Sequence, residues 1–459
     1  MKRREFIGVT AGALVAGRMA PAWMMSGQTV RPAPTTAQLE WQRDELALFL
    51  HFGVNTFTDR EWGDGTEDPS IFAPSALDAR QWARSARAGG FRAMILTAKH
   101  HDGFCLWPTK TTSHSVAGSS WRGGRGDVVR EFVDACAAEG LRAGFYCSPW
   151  DRNHPAYGDS ARYNDVFCDQ LTELLTQYGP IHEAWFDGAN GEGPNGKKQV
   201  YDWPRFWGLV KRLQPSAVIF SDAGPDVRWI GNENGLAGDP NWSTVDPGIV
   251  QFPGASGAEI MRSLRHGDEG GTVWRPGETD VSIRPGWFHH SAEDERVKSG
   301  DQLVDLYFTS VGRNSKLLLN APPTRAGLIH ETDAMRLQAM HRRLTGLFRH
   351  DLAERRARVL RLIGARTATV EIDLGGGGPV GIVDLRENVA NGQTIGRYSV
   401  DGLDDGGWTP MTHGRTIGYR KLDRVFPRSV RRIRLTVEKA GADPIDGSDL
   451  PSIALYSGE

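Results

Sequence analysis

Between residues 48 and 319 the chain repeats one pattern, a short apolar run followed by an amphipathic stretch. Few folds accept that repeat. Residues 48–53, 93–97, 142–147, 183–186, 217–221 and 316–319 read as short strands buried on both faces. Between them, 78–88, 127–136, 164–178, 203–213 and 302–311 carry apolar residues at helical spacing. In the second of these, Val128, Val129, Phe132, Val133 and Cys136 fall on one helix face. Strands alternating with helices call for a parallel sheet, open or closed. No Gly-rich dinucleotide turn follows the first strand, and polar and aromatic residues sit directly after the strand ends. Both observations favour an α/β fold of the (β/α)8-like barrel type over a doubly wound sheet.

The two ends of the chain follow other rules. Beyond residue 355 the pattern changes to short alternating strands at 367–372, 380–385, 397–400 and 431–437, separated by Gly and Asp turns. Residues 355–459 are therefore expected to form a C-terminal antiparallel β-sandwich. Gly376-x-Gly378-x-x-Gly381 has the spacing of a nucleotide-binding loop. Pro379 and the strand after it leave no helix N-terminus to hold phosphate, so a hairpin turn is expected there. At the start, Lys2-Arg3-Arg4 precedes Phe6-Ile7, a mildly apolar run to Gly17 and a small-x-small step at Ala20-Pro21-Ala22. Residues 1–22 read as a twin-arginine-type signal peptide, which implies export to the periplasm. Its apolar run of about 10 residues is too short for a bilayer core that takes roughly 20. A linker, Pro-rich over 31–36, is expected at 23–40, with the barrel over 41–350.

Charge excludes some partners. Lys and Arg number 54 against 56 Asp and Glu, a net charge of −2 that gives no basis for binding nucleic acid or an anionic membrane. With 39% hydrophobic residues and a mean hydropathy of −0.42, the body after signal removal reads as soluble. Cys105, Cys136, Cys147 and Cys168 contain no C-x-x-C pair, which argues against a zinc ribbon or a redox site. They are expected to be buried thiols, with no disulfide that matters.

Two constellations carry chemistry. Lys99-His100-His101-Asp102-Gly103-Phe104 follows the second strand directly. Imidazole beside carboxylate suits a metal-dependent hydrolase, but neighbours in an extended segment point to opposite faces. The same groups also suit hydrogen bonding of a polar substrate at the barrel mouth, or plain support of a loop. The second constellation is Glu183-Ala184-Trp185-Phe186-Asp187-Gly188, an apolar strand ending in an acid. That places Asp187 at the C-terminal rim of the barrel, with helix capping as the plain alternative. Partner carboxyls are Glu233 and Glu278, both in Gly- and Trp-bearing segments. The 15 Trp residues suit sugar rings as well as they suit a core.

Across residues 46–329 the chain resembles glycoside hydrolase family 29, the α-L-fucosidases. The resemblance rests on His51-Phe52-Gly53-Val54-Asn55-Thr56-Phe57, Glu61-Trp62-Gly63, the Lys99–Phe104 segment, Tyr146-Cys147-Ser148-Pro149-Trp150-Asp151, Trp185-Phe186-Asp187-Gly188, Ser282-Ile283-Arg284-Pro285-Gly286-Trp287 and Val311-Gly312-Arg313-Asn314. Ser221-Asp222-Ala223-Gly224-Pro225-Asp226-Val227-Arg228-Trp229 and Gly231-Asn232-Glu233 resemble the branch that prefers α-1,3/4-linked fucose. The resemblance implies a retaining hydrolase of fucosylated oligosaccharides or glycoconjugates, with Asp187 as nucleophile and Glu233 as acid/base. Glu278 is the alternative acid/base. His51, Glu61, Trp62, His100, His101, Tyr146, Trp287 and Arg284 are implied to bind the sugar. No metal and no organic cofactor is implied, because two carboxyls carry the reaction. Two other readings stay open: a non-catalytic fucose-binding protein, and a metal-dependent hydrolase using His100 and His101. The signal is testable by itself. Replacing Arg3 and Arg4 together with Lys is expected to leave the protein in the cytoplasm, as read by cell fractionation; unchanged periplasmic protein contradicts the twin-arginine route.

Overall fold

The computed structural model of the chain describes residues 31–458, and the expected signal, residues 1–22, lies outside them. The elements run α1 (Thr36–Asp44), β1 (Leu46–Leu50), α2 (Val54–Thr58), α3 (Ala79–Ala88), β2 (Ala93–Lys99), α4 (Val128–Glu139), β3 (Arg142–Cys147), α5 (Ser160–Gln177), β4 (Glu183–Trp185) and α6 (Trp203–Leu213). They continue with β5 (Val218–Ser221), β6 (Val227–Trp229), β7 (Thr244–Val245), α7 (Ala258–His266), β8 (Val273–Trp274), β9 (Gly277–Ser282), α8 (Gly300–Thr309), β10 (Ser315–Asn320) and α9 (Glu331–Leu347). Strands β1 to β6, β9 and β10 close into an eight-stranded parallel barrel. Strands β7 and β8 form a separate antiparallel ribbon.

The barrel departs from a strict strand–helix repeat at one place. Strands β5 and β6 are parallel neighbours with no helix between them. Elsewhere the helices start where the sequence supplies a cap. Asp78, Asp127, Asp202 and Ser299 each accept a backbone N–H of the first turn of α3, α4, α6 and α8. The helices then bury Trp82, Phe132, Leu171 and Phe206 against the outer face of the sheet.

The inner face follows the two-residue period of strands. Glu183, Trp185 and Asp187 rise in steps along β4 and just past it; Ala47, Phe49 and His51 do so at β1. Glu278, Asp280 and Ser282 form the ladder of β9, and Lys316, Leu318 and Asn320 that of β10. The middle layer is apolar, with Phe49, Ile95, Trp185, Phe220 and Leu318 in one cluster. Below it lies a charged layer. Lys316 Nζ is fully buried, 3.1 Å from Glu183 and 3.7 Å from Glu278. It also sits over the Trp41 ring at 4.5 Å, and the Trp41 indole donates to Glu183 at 2.8 Å. Trp41 belongs to α1, which begins at Thr36 on a Thr35–Gln38 capping box. Residues 36–40, expected to be part of a linker, are instead the start of α1. An apolar, fully buried Trp41 makes that stretch part of the barrel.

The C-terminal module is one antiparallel system of β11 (Arg358–Leu362), β12 (Thr367–Arg386), β13 (Ile395–Asp404), β14 (Gly407–Arg415), β15 (Lys421–Lys439) and β16 (Ser452–Tyr456). It carries its own core, including Val370, Val383, Val400, Ile433 and Leu455. The hairpin expected at Gly376–Gly381 is absent. Strand β12 runs straight through, and its register against β15 slips between Asp373 and Gly378. The glycines permit a bulge inside one long strand rather than a reversal. Arg420 ties the module to the barrel, donating to Glu45 at 2.9 Å and to Asp384 at 2.7 Å. All four cysteines are buried free thiols.

Removing one partner of a buried ion cluster strands the others without compensation. Lys316→Met is expected to cost about 3–5 kcal/mol of stability, measured by denaturant unfolding. A loss below about 1 kcal/mol contradicts the role given to this lysine.

Candidate active site

Above the apolar layer the inward ladders end at the C-terminal mouth of the barrel, in a pocket of ≈ 300 Å³. Phe49 and Trp185 belong to its lining and to the apolar layer beneath, so they form its floor. His51, His100, His101 and Tyr146 line it together with Trp62 and Trp287. Three carboxyls complete it: Asp187, Glu233 and Asp280.

Asp187 is held from two sides. Its Oδ2 accepts from the Tyr146 hydroxyl at 2.9 Å, and its Oδ1 accepts from the backbone N–H of Ala189 at 2.7 Å. His101 Nε2 lies 3.7 Å from the same Oδ2. Strand β4 thus delivers the acid, and the next two residues turn back to hold it.

The histidine pair departs from the sequence expectation. His100 and His101 do not point to opposite faces; both line the pocket, with ring centroids 4.2 Å apart. Strand β2 stops at Lys99, and a turn closed by Gly103 N–H to His100 C=O (3.0 Å) follows, with Gly103 at φ +83°. The alternation rule fails because the segment is no longer extended. His101 Nδ1 pairs with Ser148 Oγ at 2.7 Å, and His100 stacks on Tyr146. His51 Nδ1 meets Asn320 Oδ1 at 2.9 Å, while Asn320 Nδ2 donates to Trp287 C=O and Ser282 Oγ. That network assigns the proton to His51 Nδ1 and leaves Nε2 as an acceptor toward the pocket. Burial lowers the pKa of all three imidazoles, that of His51 to about 3, so they act here as neutral groups.

Glu233 stands at the mouth, on the loop after β6. Asn232 shapes that loop, donating to Leu236 C=O at 2.9 Å and accepting from Asn234 N–H at 3.1 Å. Gly231 takes the left-handed φ of +82° that the turn requires. Glu233 Oε2 accepts from the Trp287 indole at 3.2 Å. Loss of solvation raises its pKa, the indole bond lowers it, and the neighbouring Asp187 raises it; the net direction is upward.

Three of the expected residues serve the pocket from outside it. Glu61 does not line the cavity; its carboxylate accepts the backbone N–H groups of Trp287 and Phe288 at 3.1 and 3.2 Å, fixing the wall that Trp287 forms. Arg284 is buried away from the pocket, donating to both oxygens of Asp333 and to Asp294 at 2.8–2.9 Å. It anchors the segment that leads to Trp287 and is not among the residues that line the pocket. Glu278 lies in the charged layer below the floor, where its Oε1 accepts from the Trp185 indole at 3.1 Å. Burial, then the adjacent Glu183, raises its pKa well above the usual range. Trp62, 56% exposed, stands edge-on to His101 and Trp150 at the rim. Phe49, Trp185 and Asp280 were not singled out from the sequence as site residues. The two-residue step from His51, Asp187 and Glu278 reaches all three.

A sugar-sized pocket with neutral imidazoles, an indole wall and paired carboxyls has close relatives. The alpha-L-fucosidase family model matches residues 35–345. The chain belongs to the α-L-fucosidase family. It is 41% identical over 446 residues to alpha-L-fucosidase 1 of Arabidopsis thaliana, covering 91% of this chain and 86% of that one. A crystal structure of a glycoside hydrolase 29 family member from an unknown rumen bacterium superposes with a TM-score of 0.85 at 39% identity, over 94% of this chain and 78% of that chain. A family 29 fucosidase of Ruminococcus gnavus, crystallised in complex with fucose, has a TM-score of 0.83 at 30% identity, over 93% and 95% of the two chains.

In this fucosidase the Trp287 indole bond favours the ionised form of Glu233. Trp287→Phe keeps the aromatic wall and removes the donor, so Glu233 gives up its proton at higher pH. On the reading that Glu233 gives this proton to the leaving group, the alkaline limb of kcat/KM is expected to move up by about half a unit to one unit. A downward shift contradicts the assignment of that bond.

Proposed function

We propose that this α-L-fucosidase is a retaining exo-enzyme that removes terminal α-1,3/1,4-linked L-fucose, with Asp187 as nucleophile and Glu233 as acid/base. The observation that carries the reading is the placement of the two carboxyls around one pocket. Asp187 is fixed by Tyr146 and the Ala189 N–H beside the floor, and Glu233 stands at the open mouth where a leaving group departs. Partial loss of solvation at the mouth favours the protonated form of Glu233, which a general acid needs at the start of the reaction. Glu278, the alternative acid, is fully buried beneath Trp185 and does not line the pocket, which favours Glu233.

In the proposed first step the Asp187 carboxylate attacks the anomeric carbon while Glu233 protonates the departing oxygen. A fucosyl–enzyme ester results. In the second step Glu233, now ionised, takes a proton from water as that water displaces the Asp187 carboxylate and restores the original anomer. The buried imidazoles of His51, His100 and His101 supply uncharged donors and acceptors for sugar hydroxyls, and the Trp287 face covers the apolar side of the ring. The fucose seen in the Ruminococcus gnavus relative supports this use of the pocket. The linkage preference is supported by the Ser221–Trp229 and Gly231–Glu233 segments. Export through the twin-arginine route would place this reaction in the periplasm.

Two measurements test the reading. Asp187→Gly with added azide is expected to yield β-fucosyl azide, whereas Glu233→Ala with an activated aryl fucoside is expected to yield the α-azide. Glu233→Ala is also expected to lose about 10²–10⁴-fold on natural glycans. An α-azide from Glu278→Ala and none from Glu233→Ala reverses the assignment. For linkage, Lewis-type trisaccharides are expected to be cleaved faster than 2′-fucosylated lactose; equal or reversed rates contradict the preference.

A further inference from the structure

The roles above leave one acid of the pocket unused. Asp280 lies on β9 two residues beyond Glu278, hence on the same inward face and one layer nearer the mouth. It is 4% exposed and lines the pocket with Asp187 and Glu233. The Trp229 indole donates to its Oδ1 at 2.9 Å, and among the described residues no other side chain bonds to this carboxyl. Trp229 lies on β6, the neighbouring strand, so Asp280 is clamped from within the barrel wall.

The pocket sets the charge of this group by its composition. No Lys or Arg is among the described residues that line it, and its three imidazoles are neutral. Three carboxyls in one small space without a cation cannot all ionise. Asp187 keeps 27% of its side-chain surface exposed, and Glu233 stands at the mouth. Asp280 is the most enclosed of the three. We propose that Asp280 is a sugar-binding residue that works as a neutral carboxylic acid, with Oδ1 held by the Trp229 indole and the Oδ2 proton donated to a hydroxyl of the bound fucose. The direction of its pKa agrees: burial, then the charge of Glu233, raises it well above the usual carboxylate range. A neutral acid adds a directed donor to the sugar site without adding a third negative charge beside the nucleophile.

The proposal rests on the fucosidase reading of this pocket, and the experiment separates the two. Asp280→Asn keeps an oxygen for Trp229 and offers an N–H where the acid offers O–H. L-fucose is expected to bind it within about threefold of the wild-type affinity, in calorimetric titration. Asp280→Ala removes both groups and is expected to weaken fucose binding roughly tenfold or more. The same order is expected in kcat/KM on 4-nitrophenyl α-L-fucoside, with thermal melts showing that both variants fold. If Asn is as damaging as Ala, an ionised carboxylate is required and the proposal falls. If neither substitution changes fucose affinity, Asp280 does not touch the sugar and the proposal falls as well. A wild-type enzyme that neither binds L-fucose nor cleaves the aryl fucoside would overturn the reading of the pocket itself, before any variant is compared.

Discussion

Lys316 is a cation with no path to water, and the barrel is arranged around that fact. Its ammonium meets Glu183 of β4 and Glu278 of β9, and lies on the face of Trp41 from α1. Leaving such a charge unpaired costs several kcal/mol, so the register of these strands is tied to one buried point. Slipping β10 by one residue would turn the ammonium outward into the apolar layer under the helices. With the bottom fixed, the two-residue rise sets what stands above. Trp185, Asp280 and Leu318 come next, then Asp187 and Asn320. The position of the proposed nucleophile is thus inherited from a charge pair two layers below it.

The sequence was legible where the inward and outward faces are both apolar. The strands at 93–97 and 142–147, and the helices with Asp caps, lie within a few residues of their expected places. Legibility failed where a strand carries polar side chains inward. Strand β9, Gly-Glu-Thr-Asp-Val-Ser, is buried along its whole length, yet it reads as a loop because Glu278, Asp280 and Ser282 find their partners on other strands, far away in sequence. Strand β6 is three residues long and gives no periodic signal. With these two strands unread, the inward face that Glu278 and Asp280 share was not visible, and Asp280 was passed over.

Other departures have local causes. His100 and His101 share a face because β2 ends one residue before them. Glu61 and Arg284 were read as sugar ligands because of their motifs, but Glu61 accepts the backbone N–H groups of Trp287 and Phe288, and Arg284 ties its own segment to Asp333 and Asp294. A motif preserves a constellation without saying which members meet the ligand and which hold those that do. Only the packed structure distinguishes them.

The filled barrel beneath the pocket has a kinetic meaning. Trp185 and Phe49 close the floor, and the apolar layer and charge cluster below leave no rear passage. Among the described residues the pocket opens at the mouth beside Glu233 and Trp62. In the proposed reaction the larger half of a cleaved glycan therefore has to clear that doorway while the monosaccharide behind it is still held on the enzyme. Until it does, the waiting sugar faces whatever next arrives at the door. Bulk water is one such arrival, and the hydroxyl of another carbohydrate is a second. Under the two-step reaction proposed for Asp187 and Glu233, traffic through that opening decides whether the sugar held on the nucleophile passes to water or to another carbohydrate.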